Sequence, residues 1–175
     1  MSEQNWMLLL NQQNMLRQLE ETNQFTEKYG LQLSEQDTEL LIAEKNHILK
    51  EKGRVEFGSG ILPQIIYAFC DSSYITQDTY VDTLIRLQEI FFEYKNRMLD
   101  EISDEELLNF MREQFEEPCF GDLDYLESTC LELFAEAIRA GYTNHIVTTG
   151  KGEFARVDIV KRWDRDLYLE ALKAL

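Results

Sequence analysis

Between Tyr80 and Met98 apolar residues recur at alternating steps of four and three: Tyr80, Leu84, Leu87, Phe91, Tyr94 and Met98, flanked by Val81, Ile85 and Phe92. That period belongs to one face of an α-helix, because strand side chains alternate with a period of two. A long amphipathic helix must bury its stripe against something. The rest of the chain offers mostly further helices. Only Pro63 and Pro118 interrupt 175 residues, so long uninterrupted helices are sterically open.

Helix boundaries are well signposted. A first helix is expected from about Asn11 to Tyr29, with Gly30 just past its end. The second opens at Ser34, where "SEQD" matches a loose capping box, and stops before Gly53. Within it Leu41/Ile48 and Ile42/Leu49 repeat at seven residues, as a buried stripe requires. After the stripe at 80–98, "SDEE" (103–106) caps another helix, with Ile102 and Leu107 positioned as a hydrophobic staple. Beyond "EEPCFGD" (116–122), Leu123, Leu126, Cys130, Leu133 and Ala137 mark one more stripe, ending at Gly141. Then the period changes. "NHIVTTGKGEFARVDIV" (144–160) places β-branched runs around a Gly-Lys-Gly turn and predicts a hairpin, and a closing helix is expected from about Asp164. The fold class is therefore mainly α: a single-domain helical bundle over 1–175 with a small C-terminal β-hairpin at about 144–160, and residues 1–10 loosely ordered.

The length and a hydrophobic fraction of 44% are enough for a substantial core without staples. The net charge of −16 is uneven, since residues 100–140 hold 13 acids and two bases. Long-range repulsion disfavours direct binding to nucleic acid or to an anionic membrane, while a basic protein partner would be drawn in. The N-terminal "MLLL" (7–10) is too short for a signal peptide or a span. Cys70, Cys119 and Cys130 are odd in number and lack metal-ligand spacing, which reads as a reduced, cytoplasmic protein.

The stretch "GRVEFGSGILPQIIYAFCDSSYITQD" (53–78) is where a site would sit. Gly58 and Gly60 precede a helix opening near Ile61, with Pro63 in its first turn. A glycine-flanked helix N-terminus can hold an anion, and Arg54 is the one cation in this local sequence. Arg54, Glu56, Tyr67, Asp71 and Tyr74 are the candidate pocket lining, with Gly58 and Gly60 shaping the backbone. The bland reading is a plain connection between two helices. It is the stronger one, because the segment lacks the lysine and glycine spacing of a phosphate loop.

No catalytic constellation stands out. Cys70 next to Asp71 is not an activated nucleophile, because burial and an adjacent carboxylate raise a thiol's pKa. Cys130 lies on an apolar stripe and reads as core. His47 and His145 are in no triad pattern. Glu44 and His47 form one Glu-x-x-His pair, but a di-iron bundle needs two. No metal or cofactor is implied.

The run "GRVEFGSGILPQIIYAFCDSSYITQDTY", with "LQEIFFEYKNRMLDEISDEELLNFM" further on, resembles an uncharacterised family of small cytoplasmic bacterial proteins from anaerobic Firmicutes. The likeness covers about residues 15–140. It implies no activity, so no functional residue carries over from it.

The reading that follows is a non-enzymatic cytoplasmic interaction or regulatory protein acting through a helical, partly acidic surface. Its partner would be another protein, basic in character, or a second copy of the chain. The alternatives are a small-ligand binder or enzyme with a pocket near residues 54–74, and an acidic nucleic-acid mimic.

Overall fold

A computed structural model of the protein describes residues 2–56, 58 and 60–139. It is mainly helical, with no strand among the described residues. The hairpin expected at 144–160 and the closing helix expected from Asp164 lie outside them. By their contacts the residues fall into two compact units, one up to Phe92 and one from Glu93.

The first unit opens with α1 (Glu3–Thr26) and a 3-10 turn, Glu27–Tyr29. The helix thus begins eight residues before the expected Asn11. Ser2 caps it by accepting a hydrogen bond from the Asn5 N–H at 3.3 Å, and residues 4–16 contain no charge or helix breaker to stop it. Gly30 ends the turn in the left-handed conformation, as expected. The bend after it is held by side chains. Asn23 exchanges two 2.8 Å hydrogen bonds with the backbone of Leu33, and the buried Thr26 hydroxyl donates to the Leu31 carbonyl at 2.7 Å.

Helix α2 (Glu35–Lys52) carries the full capping box at Ser34 and Asp37 and stops at Gly53. Leu41, Ile42 and Ile48 are buried as the seven-residue repeat requires, and Leu49 is half-buried. Helix α3 (Leu62–Phe69) is short and apolar. Leu62, Pro63, Ile65, Ile66 and Phe69 are buried, while Gln64 and Tyr67 face solvent. Both α2 and α3 pack on α1.

Helix α4 (Tyr80–Arg97) bears the stripe read from its period. All six of its residues, Tyr80 to Met98, are buried. The second unit then folds α5 (Asp104–Glu116), capped by Ser103 with Ile102 and Leu107 both buried. After the Glu117–Pro118 turn come α6 (Leu123–Tyr125), a π-helical stretch Leu126–Leu131 and α7 (Glu132–Arg139).

The π-helical stretch corrects the stripe expected here. A wide turn absorbs one extra residue, so the inward face advances by one position. Leu126 and Cys130 are buried as expected, but Leu133 is only half-buried. Leu131, Phe134 and Ile138 take the interior positions instead, beside Ala137. Phe134 stacks on Phe110 of α5, with ring centroids 3.8 Å apart and planes within 12°.

Candidate functional site

The candidate residues of 54–74 all belong to the first unit. Glu56 is the one among them whose partners are clearest. Its carboxylate accepts a hydrogen bond from the Ile61 N–H at 2.6 Å, directly before α3. Its other oxygen lies 3.1 Å from the Lys45 Nζ of α2, and both side chains are nearly buried. A helix N-terminus attracts negative charge because its first N–H groups lack intrahelical acceptors. Here the anion at that position is the chain's own carboxylate.

The glycines serve this arrangement. Gly58 and Gly60 have φ of 69° and 71°, in the region that suits a residue without Cβ. Around Gly58 a Cβ would meet nothing, but at Gly60 it would lie 2.7 Å from Glu56 Oε1 and 2.8 Å from Oε2. Gly60 is therefore doubly required, by its backbone and by the carboxylate folded against it.

The remaining candidates point elsewhere. Arg54 is half-buried, with its guanidinium carbon 5.9 Å from the centre of the Phe92 ring. Tyr67 is exposed and meets Phe25 of α1 edge to face at 5.2 Å. Lys28 sits 4.1 Å over that same Phe25 ring, and Tyr29 adjoins it at 6.2 Å. Asp71 lies exposed in the turn after α3. Tyr74 is exposed too, its backbone N–H donating to the Ser72 hydroxyl at 3.2 Å.

Lys45 is the residue that sequence reasoning missed, and a signal for it existed. Leu41, Lys45 and Ile48 are spaced four and three apart, so the lysine occupies a position on the apolar stripe. Lys95 follows the same rule between Phe91 and Met98. It is buried in the second unit, where its Nζ donates to the Ile102 carbonyl at 2.8 Å and pairs with Asp104 at 2.9 Å. A buried ammonium needs such partners, because losing water without them is costly.

Tyr94 heads a second polar cluster of that unit. Its hydroxyl oxygen lies 2.6 Å from the Glu127 carbonyl and 2.9 Å from a Glu132 carboxylate oxygen that Arg97 also engages. Burial, reinforced by Glu127 and Glu93 and opposed by Arg97, pushes the Tyr94 phenol up to about 12.

The histidine in the described part of the chain is committed to a surface contact. His47 Nε2 lies 3.1 Å from Glu51, one turn along α2. Among the described residues no three His, Cys, Asp or Glu side chains come together as a metal site, and no helix is long and apolar enough to cross a membrane.

The chain belongs to DUF6323, a family of unknown function whose model matches residues 18–144. That match takes in both runs on which the resemblance rests. No curated protein and no solved structure matches the chain.

Proposed function

We propose that this protein is a non-enzymatic, cytoplasmic interaction or regulatory protein that engages another protein through helical surfaces, one of them acidic. The observation that carries this reading is the exposed first half of α1. Trp6 and Met7 are 58% and 63% exposed, and Leu9 and Leu10 exceed 40%, in a stretch where residues 4–16 carry no charge. Large exposed apolar side chains grouped on a run with so little charge resemble an interface core more than an ordinary solvated surface. A helix that exposes so much apolar surface gains from being covered.

Acidic side chains supply the electrostatic part of the reading. Between residues 100 and 139 none of the 13 carboxylate residues is buried. Some are partly neutralised, Glu116 by Arg112 at 3.0 Å and Asp104 by Lys95, but Glu105, Glu113, Glu117, Asp122, Asp124 and Glu136 are exposed. Such a face accelerates encounter with a basic partner. A cytoplasmic setting fits the resemblance to small cytoplasmic proteins of anaerobic Firmicutes and the odd number of cysteines.

The test is recovery of a stoichiometric protein partner by tagged wild type from its native cell, followed by binding measurements with two variants. Trp6→Asp with Leu10→Asp should abolish binding. Reversal of Glu113, Glu116 and Glu117 to lysine should slow association and flatten its salt dependence. Binding that ignores both sets of substitutions, in variants that melt like wild type, refutes the reading. An anionic metabolite that raises the melting temperature of wild type but not of Arg54→Ala would support a ligand pocket at 54–74 instead.

A further inference from the structure

In the second unit Cys119 and Cys130 bring their sulfurs to 3.6 Å, and both residues are buried. Neither is in a disulfide. The two arrive from different kinds of backbone. Cys119 lies in the connection between α5 and α6, held by a hydrogen bond from its N–H to the Gln114 carbonyl at 3.0 Å. Next to it Phe120 is 60% exposed, so this thiol sits one residue from solvent. Cys130 comes from the π-helical stretch, where it is buried together with Leu126 and Leu131. Two sulfurs in van der Waals contact must approach by roughly 1.5 Å to bond. A change of side-chain rotamer at the two cysteines, with a small shift of the connection, can supply a movement of that size.

We propose that Cys119 and Cys130 form a dithiol modification site that closes to an intramolecular disulfide on exposure to a low-molecular-weight disulfide. Cys119 attacks one sulfur of the oxidant as its thiolate, and the oxidant's other sulfur leaves as a thiolate that takes up the displaced proton. Cys130 then attacks the Cys119 sulfur of the mixed disulfide, which expels the second small thiol. Two protein thiols are oxidised and one small disulfide is reduced to two thiols. Burial, the Cys130 sulfur and Asp122 all push the Cys119 thiol up, so the first attack waits on local opening of the connection. The site is accordingly slow to oxidise, and once the mixed disulfide forms, contact with Cys130 makes closure fast. The product ties the α5–α6 connection to the π-helical stretch.

The experiment incubates the folded protein with millimolar oxidised glutathione in non-denaturing buffer, then unfolds it and alkylates the remaining thiols. The expected product is a monomer that takes up one alkyl group rather than three. Peptide mapping reads the bond in the wild-type chain, so the result does not depend on the folding of a buried-cysteine variant. No lysine or arginine lies between Glu113 and Ala137, so trypsin releases both cysteines on one peptide, 113–139, lighter by two hydrogens. Cleavage after glutamate, which spares the Glu117–Pro118 bond, then separates segments 117–127 and 128–132, which should remain joined until reduced. Cys70→Ser should oxidise like wild type, whereas Cys119→Ser should keep two alkylatable thiols. Three alkylatable thiols after oxidation, a persistent glutathione adduct, an intermolecular dimer, or a bridge involving Cys70 would each overturn the proposal.

Discussion

Lys45 and Glu56 meet at 3.1 Å in the first unit, joining the middle of α2 to the loop that leads into α3. The same carboxylate receives the Ile61 N–H, so a single side chain neutralises a buried ammonium and caps a helix. Removing one member of such a pair leaves the other buried and uncompensated. Glu56→Ala should therefore cost about 3 kcal/mol in urea unfolding. Glu56→Gln, which keeps an acceptor for Ile61, should cost less. Pairing Glu56→Gln with Lys45→Met should recover part of the loss, and three equal, negligible costs would show that the pair does not matter.

The two glycines of the same loop should respond differently. Gly58→Ala pays only for its left-handed backbone, about 1 kcal/mol. At Gly60 the added methyl also strikes the Glu56 carboxylate, so Gly60→Ala should lower the denaturation midpoint further. In a Glu56→Ala background that excess should vanish. Equal effects of the two substitutions in both backgrounds would mean that the carboxylate is not against Gly60.

Phe91 is 1% exposed in the centre of the α4 stripe and meets Phe92 edge to face at 5.3 Å. Phe91→Ala should cost about 3–5 kcal/mol, seen as a sharp fall in melting temperature. An unchanged melting curve would place the stripe on the wrong face.

Tyr94 predicts a share of the alkaline behaviour. Burial is the largest cause of its rise, and its phenol is pushed up to about 12 in the folded chain, against an ordinary 10 when unfolded. Below pH 10 both states keep the proton and the contribution is complete. Between pH 10 and 12 the unfolded chain ionises first, so stability falls, and the loss is finished above 12. Tyr94→Phe should make the unfolding free energy less steep over pH 10–12. A slope identical to wild type would remove Tyr94 from the account.

Local and periodic signals in the chain were enough to place most helix boundaries among the described residues. The Ser34–Asp37 capping box, Gly30, Gly53 and the Tyr80–Met98 stripe each act within a few residues of themselves, so they are legible without any tertiary contact. Helix α1 starts at Glu3 rather than near Asn11: Ser2 and Glu3 are an ordinary cap and acidic first turn, but no buried stripe follows to mark a helix, the described side chains up to Asn14 all being exposed. Only the tertiary structure decided what the junction at 53–61 does. Arg54 was the visible cation there, yet the ammonium that meets Glu56 comes from Lys45, eleven residues upstream on another helix. Nothing in local spacing specifies that pairing. It exists because α2 and the loop fold back on each other, and a buried lysine must find a carboxylate. The π-helical stretch is a similar case: one extra residue in a turn brings Leu131, Phe134 and Ile138 inward, where Phe134 stacks on Phe110, a sequence-distant contact that a strict 3.6-residue period does not show.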